Sequence, residues 1–146
     1  MKKIIGIVAL GLLSLNAFAA DIKVNMLNTG ADKQMMVFEP SFVKAKVGDT
    51  ITFVSKEKGA HNTASLLVPK DAKTWQSKPD TDFTVKVEKE GVYLYACEPH
   101  KMMGMVGVIQ VGKAGNLKEA QDLAKAESAK MSMNKDRFEK ALKEVK

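Results

Sequence analysis

Four side chains in this sequence could together hold a redox metal. Cys97 opens the stretch Cys97-Glu98-Pro99-His100, Met105 follows five residues after that histidine, and His61 lies well upstream. Cys97 is the only cysteine, and His61 and His100 are the only histidines. One thiolate, two imidazoles and one thioether form the donor set of a mononuclear copper electron-transfer centre: two His and one Cys in a trigonal plane, with a long, weak axial Met. Cu(I) favours soft, low-coordinate sites, whereas Cu(II) favours tetragonal nitrogen and oxygen sites. A site that suits neither extreme rearranges little when the electron moves. The thiolate supplies the covalent bond and the imidazoles fix the plane. The axial group and the hydrogen bonds around the sulfur tune the potential.

Other chemistries fit these residues less well. Zinc accepts Cys and His, but a thioether is a poor zinc ligand, and the fourth position would more naturally be Cys or water. Haem c attachment needs two cysteines before the histidine. A Cys–His nucleophile would have no obvious third orienting group or oxyanion hole in so short a loop. Each residue also has a plainer reading by itself. A lone Cys is often a small core residue, and Met105 is one of nine methionines, which fill gaps in cores. His61 alone would more often be a satisfied structural histidine. Its weight comes from being the only other imidazole. Met102 and Met103 compete for the axial position; Met105 is favoured because it follows Gly104 at the mouth of the next strand.

The elements that must position these groups are mostly strands. From Asp21 to Val111 the pattern is largely period two: Ile22, Val24 and Met26, then Ile51 and Phe53 after the Gly48-Asp49 turn, then Phe83, Val85 and Val87. Gly91 breaks the chain, Val92 to Ala96 reads as the returning strand of a hairpin, and Val106 to Val111 as a last apolar strand. Such a series predicts an antiparallel sandwich or barrel. Leu67 to Thr81 reads as a long irregular connection. Cys97 ends a strand, Pro99 tightens the loop to His100, and His61 must come from another strand. Asn62 is a candidate for pinning the two ligand loops together. After Gly112 the period changes. Asn116 with Glu119 resembles a capping box, and Leu117, Ala120 and Leu123-Ala124 recur at helical spacing. A second helix carries Phe138, Leu142 and Val145 on one face. Two short helices cannot bury a core alone, so residues 113–146 read as an extension packed on the 20–112 sandwich.

The N-terminus predicts export. Lys2 and Lys3 precede the apolar run Ile4 to Leu13 and the cleavage pattern Ala17-Phe18-Ala19. The run is too short to span a bilayer, which needs about 20 residues. Residues 1–19 therefore read as a bacterial secretory signal, with a periplasmic product and no membrane association after cleavage. A single thiol in an oxidising compartment is itself a flag for ligation. Loss of Lys2 and Lys3 lowers the formal charge by two from +6. That balance suits an acidic protein partner. Nucleic acid is disfavoured, because no basic stripe with interleaved aromatics is present and Arg137 is the only arginine.

These residues resemble a known family, the type 1 blue copper proteins of cupredoxin type, and among them the pseudoazurins. Cys97-Glu98-Pro99-His100-Lys101-Met102-Met103-Gly104-Met105 is similar to that group's C-x-P-H-x-x-M-G-M signature. Val24-Asn25-Met26-Leu27-Asn28, Met36-Val37-Phe38-Glu39-Pro40, Gly48-Asp49-Thr50, His61-Asn62 and the two terminal helices extend the resemblance over 20–146. It implies an all-β, cupredoxin-like Greek-key β-sandwich of about eight strands with two C-terminal α-helices. It implies one type 1 copper ion held by His61, Cys97, His100 and Met105, in a monomeric periplasmic electron carrier that is not an enzyme. Electrons would pass to a reductase such as copper nitrite reductase in denitrification, with c-type cytochromes as further redox partners. The exit would be the His100 edge, in an apolar patch including Met36 and Pro99. Two lysine positions of the family are Ala96 and Thr29 here, and single insertions fall near Lys33 and at Ala60. Lys33, Lys56, Lys58, Lys78 and Lys101 are the candidates for rebuilding a docking ring, although any one of them could be an ordinary solvated charge. The competing expectation is a periplasmic copper storage or delivery protein, since Met-rich sequence near His also suits Cu(I) handling.

Overall fold

A computed structural model describes residues 19–146, so the bulk of the expected signal segment, residues 1–18, lies outside the described residues. Eight strands run in chain order: β1 (Asp21–Thr29), β2 (Met35–Glu39), β3 (Phe42–Ala45), β4 (Thr50–Ser55), β5 (Ala64–Leu67), β6 (Phe83–Lys86), β7 (Gly91–Ala96) and β8 (Val106–Val111). Helices α1 (Leu117–Lys130) and α2 (Arg137–Leu142) follow. The strands form two four-stranded sheets, ordered β2-β1-β4-β6 and β3-β8-β7-β5. The expected sandwich of about eight strands with two terminal helices is the fold observed.

Three local expectations are corrected. The sandwich is not purely antiparallel: β1 runs parallel to β4, and β3 parallel to β8. Period-two patterning reports which face is buried but not strand direction. Second, β6 and β7 do not form a hairpin. β6 pairs with β4, whereas β7 pairs with β5 and β8. Gly91, at φ 138°, lies where the chain crosses between sheets. Third, Asn116 does not cap α1 through its side chain. Its Oδ1 instead accepts from Val92 N–H at 2.7 Å and its Nδ2 donates to Val92 O at 2.9 Å, tying the helix start to β7. Strands β3 and β5 are only four residues long, and β5 carries no clear alternation, so the sequence pattern passes over them.

Two apolar layers result. Between the sheets lie Val24, Met26, Phe38, Ile51, Phe53, Trp75, Tyr93, Tyr95, Ile109 and Val111. Tyr95 meets Phe38 and Phe53 edge-on, with centroids 4.8 and 5.0 Å apart, contacts worth about 0.5–1.5 kcal/mol each beyond area burial. The second layer packs Val92, Leu94, Ala96, Val106 and Val108 against Ala120, Ala124, Phe138, Ala141 and Leu142 of the helices. Every residue of β7 and β8 is buried, because the helices cover the face that a simple sandwich leaves wet. The ligand loop leaves from this doubly covered pair.

Candidate metal centre

Strand β7 delivers the sulfur. Alternation sends Val92, Leu94 and Ala96 toward the helices and Tyr93, Tyr95 and Cys97 into the interior between the sheets. Cys97, one residue beyond the strand, is therefore fully buried. The chain then turns back on itself. His100 N–H donates to Cys97 O at 3.2 Å, and one 3-10 turn spans Lys101–Met103. Gly104 closes that turn at φ 78°, left-handed backbone that favours glycine. Met105 rejoins the ladder, its carbonyl accepting from Cys97 N–H at 2.9 Å and its N–H donating to His100 O at 3.2 Å. This loop brings His100 Nδ1 within 3.4 Å of Cys97 Sγ.

His61 arrives from the opposite side, on the β4–β5 loop rather than on a strand as expected. Asp80 builds that loop. Its carboxylate accepts from Gly59, Ala60 and His61 N–H groups, each at 3.2 Å, and its own N–H donates to His61 O at 2.8 Å. The bond from Gly59 leads in holding the Asp80 carboxyl below its ordinary range. The nitrogen and sulfur donors of His61, Cys97 and His100 all lie within 4.8 Å of one another. The two rings have centroids 5.0 Å apart and planes inclined at 60°. A first-row metal binds imidazole N and thiolate S at roughly 2.0–2.3 Å, which holds such donors about 3.5–4 Å apart. The cluster has that scale.

The ring nitrogens test whether a metal fits. His61 Nε2 lies 2.9 Å from Asn28 Oδ1. A carbonyl oxygen can only accept, so Nε2 carries the proton and Nδ1 the lone pair. Nδ1 is buried and has no hydrogen-bond partner, an arrangement that a bound metal satisfies. Burial, and then the neighbouring His100, push the His61 pKa down and keep the ring neutral. Burial pushes the Cys97 thiol up, with the hydrogen bonds from Asn62 and His100 acting against it. The thiol thus stays protonated until a cation displaces the proton.

Asn62 sits between the two ligand loops. Its N–H donates to Cys97 Sγ at 3.5 Å, and its side chain accepts from Glu98 N–H at 2.8 Å while donating to Glu98 Oε2 at 2.6 Å and Ser77 O at 3.3 Å. Gln76 Nε2 holds the same Glu98 oxygen at 2.7 Å. Met105 is fully buried, whereas Met102 is 47% exposed and Met103 half-buried on the 3-10 turn. Pro99 is exposed beside the half-buried His100, and Met36 is half-buried on β2 against the inner core. Lys56 and Lys58 are exposed on the His61 loop, Lys78 on the connection carrying Asp80, and Lys33 on the β1–β2 turn. Lys58 Nζ donates to Asp80 O at 2.9 Å. Lys101 is paired with Glu127 at 3.0 Å. Asn28, Gly59, Gln76 and Asp80 shape the site without standing out in the sequence as ligands or as members of a charge pattern. Only the stretch ending at Asn28 carried a signal, as part of the family resemblance.

A family profile described as "Copper binding proteins, plastocyanin/azurin family" matches residues 24–112. Pseudoazurin of Paracoccus pantotrophus is 42% identical over 127 residues, 84% of this chain and 83% of the relative. Pseudoazurin of Methylorubrum extorquens is 41% identical over 113 residues, 75% of each chain. The crystal structure of native pseudoazurin from Hyphomicrobium denitrificans superposes with a TM-score of 0.78 at 32% identity, covering 86% of this chain and 98% of that one. The cofactor is copper, and the cluster of His61, Cys97 and His100 is its type 1 site. A buried thiolate–imidazole cluster on an eight-stranded sandwich, with these relatives, places the chain in the plastocyanin/azurin family of copper-binding proteins, as a pseudoazurin-like blue copper electron carrier rather than an enzyme.

Proposed function

We propose that this protein is a monomeric periplasmic one-electron carrier in which Met105 completes the site formed by His61, Cys97 and His100. The observation that carries the reading is the convergence of Cys97 Sγ and His100 Nδ1 at 3.4 Å beside the unpartnered, buried Nδ1 of His61. Bound copper supplies the one-electron couple. The chain supplies a cage with three buried ligands and two loops cross-tied through Asn62, which resists rearrangement when the charge changes. Burial of Met105, against the exposure of Met102, supports the former as the thioether that would complete the site. His100 is the one partly exposed ligand, which makes its edge the exit, with Pro99 beside it and Met36 as a further patch residue.

Export is supported by the signal pattern over residues 1–19. Among the described residues no helix is long and apolar enough to cross a membrane. The proposed acceptor is a reductase such as copper nitrite reductase in denitrification, with a c-type cytochrome as a further redox partner. Lys33, Lys56, Lys58, Lys78 and Lys101 are the proposed steering charges for an acidic patch on that partner.

Absorption and spin-resonance spectra of the copper-loaded protein test the carrier reading. The Cu(II) form should be intensely coloured through sulfur-to-copper charge transfer, bleach on reduction, recolour on oxidation and retain its copper throughout. Cys97→Ser should abolish the colour, and Met105→Gln should retain a coloured but retuned site. A pale protein that yields copper to a chelator would instead be a storage or delivery protein. Stopped-flow mixing with nitrite reductase and with c-type cytochromes separates the partners.

A further inference from the structure

The only arginine of the chain is half-buried in an unusual setting. Arg137, at the start of α2, donates from Nη1 to Met36 O at 2.6 Å and to Gly104 O at 3.0 Å. Nη2 donates to Met35 O at 2.8 Å and to Gln34 Oε1 at 3.3 Å. All four acceptors are neutral, and three are main-chain carbonyls. Among the described residues no carboxylate forms an ion pair with Arg137; Asp32 and Asp136 act on it only at a distance. Its Nε is buried without a partner.

Partly desolvating a cation among neutral groups carries a cost, and an apolar residue could anchor a helix to a sheet without it. The geometry of the acceptors points to a more specific role. Met36 and Gly104 belong to different elements, and both have left-handed backbone, φ 52° and φ 78°. Each turns its carbonyl onto the same nitrogen of Arg137. Gly104 immediately precedes Met105, whose N–H is in turn fixed to His100 O. The planar guanidinium fork therefore holds the peptide leading into the buried thioether against the strand carrying Met36.

We infer that Arg137 is a positioning residue for the copper site: through Gly104 it sets the placement of Met105, and it adds a fixed positive charge at the peptide next to Met105. This rests on the carrier reading in which Met105 would complete the site. It makes the C-terminal helices part of the redox apparatus and not only a cover for the sheet.

The test compares wild type, Arg137→Lys and Arg137→Met, each as the full copper-loaded protein, by visible spectrum, spin resonance, reduction potential and thermal midpoint. Arg137→Met should lower the potential, because removing a cation favours Cu(II), and should change the intensity ratio of the visible bands as the thioether moves. Arg137→Lys keeps the charge but loses the fork. It should recover most of the potential while leaving the band ratio altered. Wild-type spectra and potentials in both variants, with only a lower thermal midpoint, would reduce Arg137 to a tether and overturn the inference. Should Arg137→Met fail to fold, an unaltered band ratio in Arg137→Lys overturns it alone. A colourless wild type would overturn the carrier reading itself, a distinct outcome.

Discussion

At Gly59 there is no room for a methyl group. A Cβ there would lie 2.5 Å from Asn28 Oδ1 and 2.8 Å from His61 Nε2, across the hydrogen bond that fixes the His61 tautomer. Gly59→Ala should spread Asn28 from His61 and loosen the ring. Loss of such an outer partner costs about 10–100-fold in metal affinity, so the variant should lose copper to a competing chelator at correspondingly lower chelator concentration. Equal retention would mean that the Asn28 bond does not orient the ligand. The same bond shows why the chemistry of a site reaches beyond its ligands. The protonation of Nε2 leaves Nδ1 free for metal, and Asn28 lies 33 residues away in sequence.

Among the elements, the junction of α1 with β7 separates stability from redox tuning. Asn116 satisfies both the N–H and the C=O of buried Val92. Asn116→Ala removes both bonds and should destabilise the protein by about 1–3 kcal/mol in denaturant titration. Val92 lies five residues before Cys97, about 16 Å along the strand at its usual rise. The copper spectrum of the variant should therefore match wild type. A spectral change would show that the strand transmits disturbance from its far end to the sulfur.

For the whole molecule, charge sets the dependence on pH and salt. Two carboxylates are held below their ordinary range by main-chain donors: Asp49, chiefly by Lys46 N–H and then Ala20 N–H, and Asp80, chiefly by Gly59 N–H. A depressed folded pKa gives stability that is fully present above the unfolded value near 3.8. That stability is lost as pH falls through the lower folded value. Copper-free protein should therefore lose stability below about pH 4. Asp80→Asn and Asp49→Asn should each be less stable at neutral pH and flatten that acid limb, as seen by denaturant titration from pH 7 to 3. Docking should show the opposite sensitivity, to ionic strength. Partner reduction rates should fall steeply with added salt, and Lys56→Ala or Lys78→Ala should flatten that slope. Lys101→Ala should change it less, because Lys101 is already paired with Glu127. Salt-independent rates with every physiological partner would remove the lysine-docking part of the proposal.

Sequence alone determined the Cys and His donors, because Cys97, His61 and His100 have no rivals of their kind, and the Cys97–His100 spacing needs only one local loop. It also determined the buried faces of the long strands and helices, since period two and period 3.6 are properties of neighbouring residues. Strand direction, the crossing of the chain at Gly91 from one sheet to the other, and the diversion of Asn116 from capping to Val92 were decided by tertiary structure. So were the orienting contacts of Asn28 and Asp80 to the His61 loop, and the grip of Arg137 on Gly104. Each of these joins residues tens of positions apart, where no local periodicity carries information, and each depends on which backbone donors and acceptors remain unpaired once the sheets have packed.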